Sequence, residues 1–225
     1  MVRNLYGNTC KEHMDALLFD LDDTLYSLDM HRRRHLARAW QPWLRQLTPA
    51  ACGAVLDAAV HERIFFRDMP AFLARHGVTS ASENDQLCAA SRDTWFSDMR
   101  LDDGVATLLD DYKQRFRLGL ITNGPSWTQR AKITQLELER WFDVLIVSAE
   151  FGVDKPDVAI FQHALTCLDV TAADAVMIGD NPEADIRGAH ATGMRAVWIT
   201  HPRQVYPADL APPWRQVPHV CQLAL

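Results

Sequence analysis

Short apolar runs recur along the chain, and each is followed by polar turn residues and then by helical spacing of apolar positions. Five of these runs are rich in Val, Ile and Leu, which is typical of strands buried on both faces. They occupy residues 16–19, 118–121, 144–147, 175–178 and 196–199. Helices are predicted at about 103–115, 126–138, 157–168 and 183–192. This alternation predicts an α/β fold in which right-handed crossovers join the strands of a parallel sheet.

The region from residue 28 to residue 100 breaks this alternation, because it contains no pattern typical of a strand. Its apolar residues recur at three- and four-residue steps, which predicts helices. The predicted helices cover 31–47, 49–64, 70–76 and 82–99. Pro42 is expected to bend or split the first of them. We therefore predict an α/β core built from 1–27 and 101–225, and a small all-helical domain over 28–100 inserted between the first two strands.

The two ends of the chain bear on location and on structure. Residues 1–14 lack the apolar stretch of a signal peptide, and no later run approaches the length of a membrane span. A cytoplasmic protein with no membrane partner is therefore expected. Residues 201–225 are rich in proline, which predicts irregular surface chain anchored by Trp214 and Val217.

Composition and charge narrow the class of protein. The chain of 225 residues is long enough for one α/β domain with an insert, and its apolar share of 48% argues against disorder. A net charge of −6 provides no basic face, so binding to duplex nucleic acid is not expected. The five cysteines are widely spaced and form no Cys-x-x-Cys pair. They favour a reducing compartment over a disulfide framework or a zinc site.

Polar residues of particular types follow four of the predicted strands. Ligands of open parallel sheets bind beyond the carboxyl ends of the strands, so these residues are expected to meet at one edge of the sheet. They are Asp20, Asp22 and Thr24 after the first strand, Thr122 and Asn123 after the second, Lys155 after the third, and Asp180 and Asp185 after the fourth.

The chemistry of this set points to transfer of an anionic group. Four carboxylates at one site repel one another unless a hard cation neutralises them, and oxygen ligands of this kind suit Mg²⁺. Thr122 supplies a hydroxyl and its loop supplies free amides, both of which donate to phosphate. Lys155 supplies a positive charge that can hold a phosphate oxygen. The set therefore predicts phosphoryl transfer.

Four motifs, in the same order along the chain, resemble those of the haloacid dehalogenase-like hydrolases. They are Asp20-Leu-Asp22-Asp-Thr24, Ile-Thr122-Asn123-Gly, Asp-Lys155-Pro, and Gly-Asp180 continuing to Asp185. Together they cover the core from about residue 15 to residue 200. The resemblance implies a Rossmann-like parallel sheet with helices on both faces. It also implies that the insert at 28–100 is similar to the helical cap domain of one branch of the family.

The resemblance further implies a role for each motif residue. Asp20 would be the nucleophile that forms a phospho-aspartate, and Asp22 would act as general acid and then as general base. Mg²⁺ would be bound by Asp20, by the backbone carbonyl of Asp22 and by Asp180. The phosphoryl group would be held by Thr122, Asn123 and Lys155, with Thr24 and Asp185 in supporting positions.

The presence of an acid at position 22 distinguishes between the two activities known in such a family, carbon–halogen hydrolysis and phosphate ester hydrolysis. Carbon–halogen hydrolysis requires no protonated leaving alcohol, and its dehalogenases lack an acid at this position, so Asp22 favours a phosphatase. The motifs look like those of members that act on nucleoside monophosphates or sugar phosphates, and some members with the same first motif act on a phosphorylated flavin precursor. A phosphomutase and a non-catalytic phosphate-binding protein are the alternatives. For Asp185, capping of the helix that begins near Glu183 is the alternative role.

Overall fold

The structure is a computed structural model that describes residues 13–201 and 204–225. Residues 1–12, whose composition bears on location, and Pro202 in the proline-rich segment lie outside the described residues. The chain divides into two compact units. The core unit comprises Met1–Tyr26 and Leu101–Leu225, and the helical unit comprises Ser27–Arg100.

A six-stranded sheet forms the centre of the core unit, and all of its neighbouring strands pair in parallel. Its strands are β1 (Ala16–Phe19), β2 (Arg117–Thr122), β3 (Val144–Val147), β4 (Ala175–Gly179), β5 (Arg195–Ile199) and β6 (Arg215–Val217). Their order across the sheet is β3-β2-β1-β4-β5-β6. Leu18 in β1 is level with Gly119 on one side and with Met177 on the other. The carboxyl ends of β1, β2 and β4 therefore lie at the same edge, and the predicted α/β fold is confirmed.

The sixth strand corrects the prediction of irregular chain over 201–225. β6 is short and mostly exposed and has no apolar run. Its backbone is ordered by β5, because Arg215 pairs with Val197 and the backbone N–H of Trp214 donates to the carbonyl of Ala196 (2.8 Å). An edge strand of this kind is determined by the neighbouring backbone rather than by its own pattern of side chains.

The helical unit contains five α-helices, and within its 27–100 span, all of which is described, there is no strand. The helices are α1 (Leu28–Ala39), α2 (Gln41–Leu44), α3 (Pro49–His61), α4 (Met69–Arg75) and α5 (Ala81–Asp93). α1 begins three residues earlier than predicted, because Ser27 caps it by accepting a hydrogen bond from the backbone N–H of Met30 (3.2 Å). The predicted helix over 31–47 is split just before Pro42, which occupies the second position of α2.

The core of the helical unit is a cluster of buried apolar side chains contributed by its helices. Leu36, Trp40 and Phe72 are almost fully buried members of this cluster, and Trp40 stacks on Phe72 with ring centroids 5.8 Å apart. The indole N–H of Trp40 donates to the Ser91 hydroxyl (2.9 Å), which satisfies the one polar group of this large side chain.

The helices of the core unit connect the strands. They are α6 (Val105–Arg115), α7 (Ser126–Gln135), α8 (Ser148–Phe151), α9 (Val158–Leu168) and α10 (Arg187–Thr192). A π-helical turn over Pro182–Ile186 leads into α10, and single 3₁₀ turns occupy Leu138–Arg140, Ala172–Asp174 and Val220–Gln222, while a further 3₁₀ turn over Phe96–Asp98 belongs to the helical unit. Leu18 and Met177 of the sheet join Phe161 and Leu165 of α9 in one buried cluster. None of the helices that the structure describes combines the length and the apolar character needed to cross a membrane.

Candidate active site

The turn after β1 places the side chains of Asp20 and Asp22 in different surroundings. Asp20 continues the strand, and its backbone N–H donates to the carbonyl of Ile178 in β4 (2.9 Å). Asp23 then takes a left-handed backbone conformation with φ of 56° within the turn after β1. The two carboxylates, although two residues apart, enter separate hydrogen-bond networks, because Asp20 bonds to Lys155 and Asp22 bonds to Lys132.

Lys155 connects the nucleophile predicted from the sequence to the acid after β4. Its ammonium group donates to Asp20 Oδ1 (2.6 Å), to Asp185 Oδ1 (2.7 Å) and to the carbonyl of Ile121 (2.7 Å). Only 4% of Lys155 is exposed. Burial alone would lower the pKa of Lys155, but the attraction of Asp185 and Asp20 raises it above its ordinary value. Lys155 is therefore a fixed positive charge at the edge of the sheet.

Asn123 holds the loop that carries Lys155. Its amide N–H donates to the backbone carbonyl of Lys155 (2.9 Å), and its side-chain oxygen accepts from the backbone N–H of Lys155 (2.9 Å). This reciprocal pair joins the loop after β2 to the loop before α9. The structure therefore gives Asn123 a loop-joining contact, and its predicted contact with phosphate stays a prediction.

Three carboxylates form a buried acidic cluster. Asp20, Asp180 and Asp185 each offer an oxygen atom within 4.8 Å of the others. Burial, and then repulsion from Asp185, raises the pKa of Asp180 to about 7. Burial also raises the pKa of Asp20 well above its usual value, although Lys155 opposes this change. The positive charge of Lys155 therefore does not offset all of the negative charge at this site.

The acidic cluster fits a hard divalent cation. Mg²⁺ binds carboxylate oxygens, and its charge would favour the ionised forms that burial and mutual repulsion disfavour. Asp20 and Asp180, which are predicted metal ligands, belong to the cluster. Within the described residues, the third side chain of the cluster is that of Asp185 and not that of Asp22. The predicted ligand atom of Asp22 is its backbone carbonyl, and this assignment stays a prediction.

Asp185 lies against the end of β4 because Gly179 has no side chain. A Cβ atom at Gly179 would lie 2.2 Å from Asp185 Oδ2, far inside van der Waals contact. The same oxygen accepts a hydrogen bond from the backbone N–H of Asn181 (3.0 Å). The following helix is capped by the side chain of Asn181, which accepts from Glu183 and Ala184. Asp185 is therefore a partner of Lys155, and the capping role belongs to Asn181.

The carboxylate of Asp22 is held by three side chains. The ammonium group of Lys132 lies 2.7 Å from both of its oxygens, and the amide N–H of Gln129 lies 3.1 Å from Oδ2. The Tyr26 hydroxyl donates to Oδ1. Burial would raise the pKa of Asp22, but the charge of Lys132 and the hydrogen bonds from Lys132, Tyr26 and Gln129 hold it below its usual value.

The two predicted threonines are both buried, and they differ in their contacts. The Thr122 hydroxyl, at the end of β2, accepts from the amide of Gln129 (2.6 Å). Gln129 thus lies between Thr122 and Asp22. The Thr24 hydroxyl is buried and has no hydrogen-bond partner among the described residues. The structure therefore links Thr122 to the site and gives Thr24 a place in the turn without a polar contact.

Lys132, Gln129 and Tyr26 are site residues that sequence reasoning missed. Lys132 and Gln129 lie three residues apart on α7, and helical spacing alone would assign polar residues of this kind to the solvent face. The available signal is that Gln129, Lys132 and the apolar Ile133 share the buried face of α7. A polar pair on a buried face requires a polar partner, which here is Asp22.

Comparison with known proteins establishes the family. A family model for haloacid dehalogenase-like hydrolases matches residues 14–193. Glyceraldehyde 3-phosphate phosphatase of Methanopyrus kandleri is 30% identical over 204 residues, which are 82% of this chain and 83% of that enzyme. The chain therefore belongs to the family of haloacid dehalogenase-like hydrolases. Because its named relatives are phosphatases, a phosphoric monoester hydrolase is the enzyme class that the comparisons support.

Other relatives match over a smaller part of their length. A pyrimidine 5'-nucleotidase of Escherichia coli is 33% identical over 112 residues, which are 49% of this chain and 50% of that enzyme. The chain spans half or less of the length of several further curated relatives.

A solved structure shows the same fold. The HAD-hydrolase YfnB from Bacillus subtilis superimposes with a TM-score of 0.65 at 23% identity. The similarity covers 92% of this chain and 95% of that one.

Proposed function

We propose that this protein is a Mg²⁺-dependent phosphatase that hydrolyses a small phosphorylated metabolite through a phospho-aspartate on Asp20. The observation that carries the proposal is the position of Asp20. Its carboxylate is buried at the carboxyl edge of the sheet, bonded to Lys155 and grouped with Asp180 and Asp185. Membership of the hydrolase family and the phosphatase names of relatives support the same activity.

The first half of the proposed reaction transfers the phosphoryl group to the enzyme. An oxygen of the Asp20 carboxylate attacks phosphorus, and the bond from phosphorus to the ester oxygen breaks. Asp22 has to carry a proton when the substrate is bound, against the lowered pKa that its partners give it in the free protein, and it gives this proton to the departing oxygen, which leaves as a neutral alcohol. The Lys155 ammonium and the Thr122 hydroxyl are the donors proposed to bind the phosphoryl oxygens.

The second half returns the enzyme to its initial state. Water attacks the phosphorus of the phospho-aspartate, and the Asp22 carboxylate takes a proton from that water. The bond between phosphorus and the Asp20 oxygen breaks, which releases inorganic phosphate and restores the Asp20 carboxylate. The lowered pKa of Asp22 favours the carboxylate that this half requires.

The residues proposed to hold Mg²⁺ are Asp20, Asp180 and the backbone carbonyl of Asp22. When bound, the ion would offset negative charge on the carboxylates and on the phosphate. Asp185 is proposed to act in support, because its Oδ1 accepts the hydrogen bond of Lys155 that keeps the ammonium group in place.

A sugar phosphate or a nucleoside monophosphate is the proposed substrate class. The relatives named for glyceraldehyde 3-phosphate and for pyrimidine 5'-nucleotides support it. We propose that the helical unit is a cap domain that selects the substrate, because it is inserted between the motif of Asp20 and that of Thr122. The cytoplasmic location stays a prediction from the sequence.

The first experiment measures phosphate release from a panel of sugar phosphates, nucleotides and the flavin precursor phosphate, with and without Mg²⁺. We expect Mg²⁺-dependent release, and we expect Asp20→Asn to reduce it by roughly 10³-fold or more on every substrate, because the nucleophile is lost. Exposed Asp57→Asn in the helical unit is the control and should keep the wild-type rate. An Asp20→Asn protein with wild-type activity would exclude the phospho-aspartate.

The same panel separates the alternatives. A phosphomutase would convert a sugar phosphate to its isomer with little free phosphate. A non-catalytic binding protein would release none from any substrate, including 4-nitrophenyl phosphate. Halide release from a 2-haloacid, with no phosphate release from the panel, would assign the protein to the dehalogenases of the family.

A further inference from the structure

Lys132 contacts both carboxylate oxygens of Asp22. Its ammonium nitrogen is 2.7 Å from each of the two carboxylate oxygens. Contact with both oxygens fixes the rotation of the carboxylate, whereas contact with one oxygen would leave it free to turn. Lys132 is 8% exposed, so water has little access to the lysine side of this contact.

The other two partners of Asp22 come from different elements. Tyr26 stands at the end of the turn after β1, and Gln129 lies on the same face of α7 as Lys132. The amide of Gln129 also donates to the Thr122 hydroxyl (2.6 Å). One face of α7 is therefore joined to the acid and to the hydroxyl that are proposed to act on the same phosphoryl group.

The contact differs from a lysine–aspartate pair of the core unit that lies away from the site. Lys113 pairs with Asp143, and both side chains are more than one third exposed. In the Lys132–Asp22 pair, 9% of the Lys132 side chain and 29% of the Asp22 side chain are exposed. An exposed pair such as Lys113–Asp143 contributes little to structure, whereas a pair with a buried lysine, such as Lys132–Asp22, is less screened by water and holds its geometry better.

We propose that Lys132 is a positioning residue that holds the Asp22 carboxylate in the orientation required for proton transfer to and from the substrate oxygens. The inference rests on the proposed phosphatase function, because the task of Asp22 is defined by that reaction. Lys132 acts through Asp22 and does not itself bind the phosphoryl group. Loss of Lys132 leaves Asp22 with single contacts from Tyr26 and Gln129.

The test is a double-mutant cycle with two artificial esters. kcat/KM is measured for wild type, Lys132→Met, Asp22→Asn and the double variant, on 4-nitrophenyl phosphate and on phenyl phosphate. Phenolate is the more basic leaving group and depends more on a proton from Asp22. We expect Lys132→Met to lower kcat/KM on phenyl phosphate by roughly 10- to 100-fold, and on 4-nitrophenyl phosphate by clearly less. In the Asp22→Asn background the same substitution should change the rate within about twofold.

Equal losses on both esters and in both backgrounds would overturn the proposal, because Lys132 would then act independently of Asp22. Lys132→Arg covers the case in which Lys132→Met does not fold, since it keeps the charge and two donors for the carboxylate. We expect Lys132→Arg to lower kcat/KM on phenyl phosphate more than on 4-nitrophenyl phosphate. An equal loss on both esters again contradicts positioning. Lys113→Met is the matched control and should leave both rates unchanged.

The outcome for Lys132 is separable from that for the proposed function. If the wild-type protein releases no phosphate from either ester, the phosphatase function itself is wrong. If the wild type is active and Asp22→Asn is impaired, the function stands, and the ester ratio of the Lys132 variants alone decides the role of Lys132.

Discussion

Asp20 and Asp22 lie two residues apart after β1, and each pairs with a lysine from another part of the chain. Their surroundings shift the pKa of the two carboxyl groups in opposite directions. Asp20 meets Lys155 but also two further carboxylates, and burial raises its pKa well above the usual value. Asp22 meets Lys132, Tyr26 and Gln129, and these donors hold its pKa below the usual value in spite of burial. Burial raises the pKa of both aspartates: at Asp20 the neighbouring carboxylates add to it and Lys155 does not offset it, whereas at Asp22 Lys132 and the hydrogen bonds from Tyr26 and Gln129 outweigh it.

This contrast matches the different roles proposed for Asp20, the nucleophile, and Asp22, the general acid and base. The pair of Asp20 and Lys155 lies in a region with surplus negative charge, which a divalent cation would offset. The pair of Asp22 and Lys132 is balanced within itself and needs no cation. A substitution in the first region should therefore disturb metal binding and stability, whereas one in the second should disturb proton transfer.

The largest effect is expected from Lys155→Met, which breaks the first pair. It leaves Asp20 and Asp185 buried without their common partner, so we expect a loss of about 3–5 kcal/mol in the free energy of unfolding. We also expect phosphate release to become undetectable. Urea unfolding and the phosphate assay measure both, with Lys113→Met as the control that should lose less than about 1 kcal/mol. Equal stability losses for the two variants would contradict the contrast between the pairs.

A second, smaller effect is the pH dependence of the metal-free protein. The pKa of Asp180 is about 7 in the folded protein and 3.8 is its ordinary value. Between these pH values the folded state binds a proton that the unfolded state has released, so stability is highest below pH 4 for this group and is lost as pH rises through 7. The slope for one group is at most about 1.4 kcal/mol per pH unit.

Thermal unfolding in a chelator from pH 5 to pH 8 measures this slope. Asp180→Asn should reduce it, and added Mg²⁺ should raise the melting temperature more at pH 8 than at pH 5, since protons compete with the ion at low pH. A slope that Asp180→Asn does not change would show that Asp180 is not the group responsible.

The smallest effect is expected from Tyr26→Phe, which removes one of the hydrogen bonds to Asp22. A hydrogen bond to a charged group contributes about 1.5–3 kcal/mol, and because Lys132 and Gln129 stay in place we expect only a roughly 3- to 10-fold loss in kcat/KM. The loss should be greater on phenyl phosphate than on 4-nitrophenyl phosphate. The control is Tyr206→Phe, which removes a hydrogen bond from a Tyr hydroxyl to the backbone carbonyl of Ala211 and does not involve Asp22. A change in Mg²⁺ affinity for Tyr26→Phe would link the two regions and break the comparison.

Much of the candidate site could be predicted because its residues directly follow buried strands. Asp20, Thr122 and Asp180 each stand at the carboxyl end of a strand that its own apolar run predicts. Parallel pairing then brings these ends to one edge without any further information. Lys155 is further from a strand, and its type and its motif rather than its position indicated it.

Other parts of the molecule could not be predicted for identifiable reasons. Lys132 and Gln129 are polar residues on a helix, and periodicity does not show that the face carrying them covers Asp22. β6 has no apolar pattern, because its residues are mostly exposed and its order comes from pairing with β5. The start of α1 at Leu28 depends on a hydrogen bond from one backbone N–H to the Ser27 hydroxyl, which spacing does not reveal.

The amino-acid sequence by itself determined the α/β class and the set of acids, hydroxyl and lysine at the edge of the sheet. Buried strands appear in it as short apolar runs, parallel connections appear as helices between these runs, and the site residues follow the runs. Only the tertiary structure decided how these groups are paired. Asp20 and Asp22 are indistinguishable in type and nearly adjacent in the chain. The two lysines that distinguish their electrostatic surroundings, Lys132 and Lys155, are more than a hundred residues away, and their approach depends on the packing of α7 and of the loop before α9 against the sheet.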